Sequence, residues 1–162
     1  MKKLLLCLLL AAAAAWYFFG RTQVNEAEVR DFYQRQFEAS SKGDVGRLCG
    51  MLASDFQGVN ITHVGPRQLR ELNDRDETCD ALEKFYDQLK KLHAMAGDQF
   101  EVDGDYTING VEVAEDGKSA TVKVRSVARL GRMRITSRST DTVVRQHGRL
   151  VVRRSDSRSW ME

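Results

Sequence analysis

Few side chains in this sequence have the type and spacing that chemistry requires. The three histidines are His63, His93 and His147, and no two of them have the spacing of metal ligands. A structural histidine with its ring nitrogens hydrogen-bonded is the better interpretation of each. The sequence therefore predicts no metal site, no cofactor and no catalytic motif.

Two cysteines, Cys49 and Cys79, follow the N-terminal apolar segment. An oxidising compartment would allow them to pair, and closing the loop between them would stabilise the domain by about 3–4 kcal/mol. The alternative is that Cys49 is a small buried side chain on its helix and that Cys79 is a free thiol. The sequence leaves both alternatives open.

Basic residues at alternating positions of predicted strands are the most suggestive feature. Residues 25–117 hold 10 Lys and Arg against 20 Asp and Glu, whereas residues 118–162 hold 12 against 3. An acidic half thus precedes a basic half. Such an asymmetry of charge influences which partners the domain binds and how it orients towards them, and it does not determine the fold. The predicted basic face comprises Lys123, Arg125, Arg129, Arg134 and Arg138, with Arg149 and Arg153 further along the chain.

Such a face suits anionic lipid headgroups, an acidic protein partner or a second copy of the chain. Nucleic acid is disfavoured because the chain is expected to be exported and because no aromatic residues alternate with the basic ones to stack bases. The alternative is a solvated face that only protects the sheet from aggregation.

The elements that carry these residues are three strands within residues 118–160. Short connections with Gly131 and with His147-Gly148 indicate hairpins, and so an antiparallel sheet. Alternation places the basic side chains on one side of the first strand. The opposite side carries Val122, Val124, Ala128 and Leu130.

Three helices are predicted ahead of the sheet. Residues 25–42 show one apolar helical face and end at Gly43. Asp44 caps a second helix whose apolar positions run as far as Phe56. A long third helix begins after Asp74 with a capping box to Glu77 and closes at Gly97.

Shorter strands are predicted between and after the helices. Residues 58–64 are expected to form a short strand that Pro66 interrupts. Asp116-Gly117 indicates a hairpin. Asn109-Gly110 fits either a second hairpin or a bulge within one long strand.

The first 21 residues form an export signal or a membrane anchor. Two lysines precede an apolar run over residues 4–19 that ends in four aromatic residues. Aromatic residues at this place favour an uncleaved anchor with an interfacial belt, whereas Ala13-Ala14-Ala15 would serve as a cleavage site. We expect the domain, residues 22–162, on the periplasmic side of the inner membrane, or secreted if the signal is cleaved.

The order of elements resembles the nuclear transport factor 2-like (SnoaL-like) superfamily. The residues that carry the resemblance are the Lys42-Gly43-Asp44 joint between two helices and the final hairpin within residues 140–155. The resemblance implies an α+β fold in which a strongly bent antiparallel sheet forms a cone round the long third helix, with an apolar cavity at its wide end. Members include isomerases and dehydratases as well as binding and assembly domains.

This chain lacks the catalytic residues of the superfamily's isomerases at the corresponding positions. In ketosteroid isomerase-like members, the carboxylate base and the tyrosine acid would fall on Asn60 and Gln36, and neither side chain transfers protons at neutral pH. Tyr33 and Asp55 lie close enough in sequence for a displaced arrangement. The predicted residues of the cavity are Tyr33, Asp55, Asn60, His63 and Phe85.

Two functions remain. The first is a membrane-tethered binding or assembly module that uses its basic face. The second is a domain that binds a small apolar molecule, or acts on it, in the cavity. An inward-facing carboxylate beside Tyr33 would favour the second function, and an entirely apolar cavity would favour the first.

Overall fold

The computed structural model describes residues 23–96, 102–131 and 133–161. These form three helices and one six-stranded sheet, an α+β arrangement. The helices are α1 (Glu26–Ser41), α2 (Val45–Gly50) and α3 (Arg75–Ala96). The strands are β1 (Leu52–Val64), β2 (Arg67–Asp74), β3 (Val102–Val113), β4 (Ser119–Leu130), β5 (Met133–Gln146) and β6 (Arg149–Met161).

The helices begin at the polar residues that the sequence indicates. The Asn25 side chain accepts a hydrogen bond from the Glu28 amide, and Asp44 accepts one from the Arg47 amide. At α3, Asp74 and Glu77 exchange side-chain and backbone hydrogen bonds of 2.9 and 3.1 Å, which is the predicted capping box. Gly97, the predicted end of this helix, lies outside the described residues.

The sheet is mixed, with the strand order β2-β1-β6-β5-β4-β3. All neighbouring strands are antiparallel except β1 and β6, which are parallel. The prediction of a purely antiparallel sheet is therefore wrong at this one pairing. A hairpin signal predicts pairing only between strands that follow each other in the chain. It cannot predict the pairing of β1 with β6, because these strands are far apart in sequence.

The second predicted helix is too long. It ends at Gly50, and Leu52 to Phe56 belong to β1, which continues through the predicted short strand. Leu52, Ala53 and Phe56 satisfy a helical spacing and also supply the apolar positions of an irregular strand. The strand β2, beyond the turn at Gly65-Pro66, was missed because its side chains are largely exposed and charged.

The turns follow the predicted chemistry. Gly117 has a φ of 66°, and His147 and Gly148 have φ values of 50° and 75°, which suits the tight turns of the two hairpins. The register shifts between Ile108 and Gly110 within β3. Asn109-Gly110 is thus a bulge in one long strand, the second of the two predicted alternatives.

The core lies between α1 and one face of the sheet. We call the face that carries Val122 and Val143 the inner face and the opposite one the outer face. Both valines are fully buried, as are Val29 and Phe32 of α1. Burying a side chain of this size contributes about 1.5–3 kcal/mol, so this contact fixes α1 across β4 and β5.

The N-terminal end of the described chain is attached to the sheet beside the Asp116-Gly117 turn. The Val24 amide donates a hydrogen bond to the Gly117 carbonyl, and the Val24 side chain is buried. The predicted export signal, residues 1–21, lies outside the described residues. None of the helices within residues 23–161 that the structure describes is long and apolar enough to cross a membrane.

Cys49 and Cys79 form a disulfide bond, with their Cα atoms 5.7 Å apart. The bond joins the end of α2 to a residue near the start of α3. It thereby connects two helices that are separated in sequence by the β1–β2 hairpin.

Candidate functional site

A cavity of about 370 Å³ lies between the helices and the inner face of the sheet. Its lining is mainly apolar and comes from all three helices and from five of the six strands, all except β2. The apolar lining residues are Phe37, Leu48, Leu52, Phe56, Leu82, Val124 and Val152. A volume above about 300 Å³ lies within the range of small-molecule sites.

Asp141 is the one buried residue with a carboxyl group among the described positions, with 6% of its surface exposed. It lines the cavity and accepts three hydrogen bonds from hydroxyl groups. Tyr33 Oη donates to Oδ2 at 2.6 Å, and Ser139 Oγ donates to the same oxygen at 3.2 Å. Ser155 Oγ donates to Oδ1 at 2.7 Å.

These hydrogen bonds determine how many acceptor positions remain. A carboxylate offers about four lone-pair positions, two on each oxygen. Oδ2 of Asp141 receives two donors, whereas Oδ1 receives only one. One acceptor position on Oδ1 therefore remains available to a donor that enters the cavity.

Burial raises the pKa of the Asp141 carboxyl above its ordinary value, because an apolar environment penalises the charged form. The hydrogen bonds from Tyr33, Ser155 and Ser139 act in the opposite direction but do not cancel this effect. Burial, together with the nearby Asp141 carboxylate, also raises the pKa of Tyr33. Tyr33 thus keeps its proton and remains a hydrogen-bond donor at all ordinary pH values.

The register of the sheet explains how these side chains meet. Asp141 of β5 lies opposite Val122 of β4 and Ser155 of β6, so all three point to the inner face. Ser139 lies two residues earlier on the same face. Tyr33 reaches Asp141 from α1, where it packs edge to face with Phe32 at a centroid distance of 5.5 Å.

The structure places two of the predicted or mapped residues at the cavity, Tyr33 and Gln36. Asn60 is on the inner face of β1, but it does not line the cavity. Its side chain bonds to Thr62 and accepts a hydrogen bond from Ser157 Oγ at 3.0 Å.

Three further predicted cavity residues lie elsewhere. Asp55 is exposed and accepts a hydrogen bond from Arg153 Nε at 2.8 Å. His63 is on the outer face, where its ring stacks on Trp160 at a centroid distance of 5.6 Å. Phe85 is 43% exposed on α3 and packs against Tyr86. Only one face of a helix or strand reaches a cavity, and the order of residues in the sequence does not show which face that is.

The predicted basic face is divided by the structure. Lys123 pairs with Glu112 at 3.1 Å and Arg129 with Asp103 at 2.9 Å. The described residues place no carboxylate within 4 Å of Arg125, Arg134 or Arg138. The same residues contain no group of three His, Cys, Asp or Glu side chains that could hold a metal ion.

Asp141 is a candidate site residue that the sequence analysis does not name. The signal was present in the alternation of β5. The predicted basic face includes Arg134 and Arg138, and alternation then puts Ser137, Ser139 and Asp141 on the opposite, inner face with Val143. A carboxylate on the core-facing side of a strand needs partners, and it therefore indicates a site.

Solved structures share the architecture at low sequence identity. An NTF-2 like protein of unknown function from Shewanella oneidensis MR-1 matches with a TM-score of 0.59 and 19% identity, over 82% of this chain and 97% of that one. A ketosteroid isomerase-like protein from Erwinia carotovora atroseptica SCRI1043 matches with a TM-score of 0.56 and 14% identity, over 84% and 98% of the two chains.

A conserved protein from Planctomyces limnophilus DSM 3776 matches with a TM-score of 0.57 and 15% identity, over 85% of this chain and 97% of that one. No protein-family model matches the sequence, and no curated protein matches it either. Identities of this size establish the fold and leave the activity to be argued from the site.

Proposed function

We propose that this chain, which has the nuclear transport factor 2-like fold, binds a small and mostly apolar molecule that carries a hydroxyl or amine group. The observation that supports the proposal is the buried Asp141 carboxyl, which lines an otherwise apolar cavity and keeps one acceptor position on Oδ1. The apolar body of the ligand would contact Phe37, Leu48 and Phe56.

The bonding of Asp141 favours a ligand that donates a hydrogen bond. Tyr33 Oη uses its only proton on Asp141, so it too can only accept another bond. A hydroxyl or amine group would satisfy Oδ1, whereas a carbonyl oxygen would be repelled by it. When Asp141 is ionised, a donor to it contributes about 1.5–3 kcal/mol, a tenfold or larger gain in affinity.

We propose binding rather than conversion. A general base works together with a group that gives a proton to the substrate, and Tyr33, the acid nearest to Asp141, donates its only proton to Asp141 itself. Of the two functions weighed from the sequence, the inward carboxylate beside Tyr33 favours the cavity. The position of the cavity between α1, α3 and the inner face also supports a cone-shaped sheet.

Binding of 2-naphthol and naphthalene would test the proposal. The two probes share an apolar body, and only 2-naphthol carries a hydroxyl donor. We expect the full-length protein, in uncharged detergent micelles, to bind 2-naphthol roughly tenfold more tightly than naphthalene in calorimetric titrations. Asp141→Asn should remove most of that preference, since a neutral acceptor forms the weaker bond.

Asp55→Asn is the matched control. It makes the same chemical change on an exposed strand residue that lies outside the cavity, and it should leave both affinities unaltered. Equal affinity of the parent for the two probes, or equal losses in both variants, would exclude the Asp141 site.

A further inference from the structure

Three arginines lie side by side on the outer face of the sheet. The register aligns Arg125 of β4 with Arg138 of β5, and Arg138 with Arg158 of β6. Side chains of directly opposed residues project from the same face, and neighbouring strands are about 4.8 Å apart. The three exposed guanidinium groups, which we call the arginine row, are therefore attached within about 10 Å of one another.

This arrangement is unfavourable for the domain by itself, because like charges directly opposite each other destabilise a strand pair. Elsewhere on the same face, Lys123 and Arg129 are neutralised by Glu112 and Asp103 of β3. Within the described ranges, no carboxylate lies within 4 Å of a member of the row. The one acid of β6 on this face, Asp156, pairs with Arg154 at 2.9 Å.

The row borders a groove that holds its central member in place. Arg138 lies over the Trp160 ring, 5.8 Å from its centroid, and Trp160 is stacked against His63 with the ring planes 5° apart. A cation over an indole face is held by the ring quadrupole. The groove has a volume of about 430 Å³ and is lined by Arg125, Arg134, Thr136, Arg138 and Trp160.

We propose that the arginine row, together with Arg134, binds a ligand that carries several phosphate charges. Guanidinium groups match phosphate oxygens in a two-pronged geometry and keep their charge at every physiological pH. Several fixed cations at this spacing require more than one negative charge within a small volume. A soluble polyphosphate and the headgroups of anionic lipids share this chemistry. The site is on the opposite face from the cavity and does not depend on it.

Titration of the full-length protein with inorganic tripolyphosphate, in uncharged detergent at low ionic strength, tests the proposal. The variant Arg138→Gln with Arg158→Gln removes two charges of the row. We expect its affinity to fall at least about tenfold, because each charge-assisted contact to phosphate is among the stronger hydrogen bonds.

The matched control is Lys123→Gln with Arg129→Gln, which removes the same charge from the same face. Because both residues already pair with acids, we expect a loss of less than about threefold, attributable to general electrostatics. Equal losses in the two double variants would overturn the proposal, as would the absence of tripolyphosphate binding by the parent.

A thermal melt distinguishes lost binding from lost folding. Removing the like-charge contact between Arg138 and Arg158 should leave the melting temperature of the variant unchanged or raised. Tripolyphosphate should raise the melting temperature of the parent and not that of the variant. If the double variant has a lower melting temperature than the parent, the single variant Arg138→Gln takes its place in the tripolyphosphate titration.

Two further titrations identify the source of the phosphate. Tighter binding to micelles that carry phosphatidylglycerol than to micelles that carry phosphatidylcholine would indicate a lipid headgroup. Binding of tripolyphosphate without such a preference would indicate a soluble ligand. Tighter binding of an oligoglutamate peptide than of either phosphate probe would overturn the assignment in favour of an acidic protein. Asp141→Asn should leave all these affinities unaltered. The proposal for the arginine row and the proposal for the cavity are therefore tested independently.

Discussion

Replacing Tyr33 by Phe removes a single hydroxyl group from the buried polar cluster around Asp141. The 2.6 Å hydrogen bond to Asp141 Oδ2 is lost, while the aromatic ring keeps its edge-to-face contact with Phe32. Asp141 then retains only the hydroxyl donors of Ser139 and Ser155. The change therefore tests one interaction with little alteration of packing.

The size of the effect should depend on pH, because the Asp141 carboxyl titrates. Its pKa in the folded protein is raised by burial, so the folded state keeps the proton over a pH range in which the unfolded state has lost it. The contribution of Asp141 to stability is complete below the ordinary pKa of about 4. It decreases as the pH rises through the raised folded value.

The expected loss of unfolding free energy depends on whether Asp141, which accepts the hydrogen bond, is charged. Near pH 4 the carboxyl is neutral, and losing its bond to Tyr33 should cost about 0.5–1.5 kcal/mol of unfolding free energy. Well above the raised folded pKa, for which pH 9 is chosen, the carboxylate is charged, and the same substitution should cost about 1.5–3 kcal/mol of unfolding free energy. The raised pKa of Tyr33 keeps its hydroxyl protonated across this whole range.

Urea denaturation of the parent and of Tyr33→Phe at the two pH values measures these losses. Tyr86→Phe is the matched control, since the Tyr86 hydroxyl bonds to the neutral Ser40 carbonyl at 2.8 Å, and its loss should not vary with pH. Asp141→Asn should abolish the pH dependence of the Tyr33→Phe effect. A Tyr33→Phe loss that is equal at pH 4 and pH 9 would refute the reasoning.

Two other predictions concern the cysteines and the N-terminal segment. Cys79→Ser should lower the unfolding free energy of the oxidised protein by about 3–4 kcal/mol, and alkylation of the unreduced, denatured protein should leave Cys49 and Cys79 unlabelled; full labelling without reductant would contradict the bond. For residues 1–21, we expect the intact chain to remain in the membrane fraction after a carbonate wash. Recovery of a soluble species that begins near Trp16 would show instead that the segment is a cleaved signal.

Much of the fold could be predicted because its signals are local. Asp74 with Glu77, Gly43-Asp44 and His147-Gly148 specify caps and turns within a few residues of themselves. The parallel contact of β1 with β6 could not be predicted in this way. It joins Val59 to Asp156 across most of the chain, and no local pattern encodes such a pairing.

The site was predicted less well than the fold. Tyr33 was found, because it lies on the apolar face of α1. Positions relative to a distant family indicate Asp55 and Asn60, but the start of β1 is irregular and Asp55 is exposed. Asp141 could have been found from strand alternation alone, since each arginine assigned to the outer face assigns its neighbour to the inner one.

The central place of the last strand has a consequence for biosynthesis. β6 separates the β1–β2 hairpin from β3, β4 and β5, and it pairs with both β1 and β5. Until Arg149–Met161 has left the ribosome, these two parts have no strand to join them, and the cavity cannot close. We therefore expect the sheet to be completed only after β6 has emerged from the ribosome, at the slow rate that pairing of distant segments imposes. A chain that stays open for this long can still be threaded through a narrow export channel.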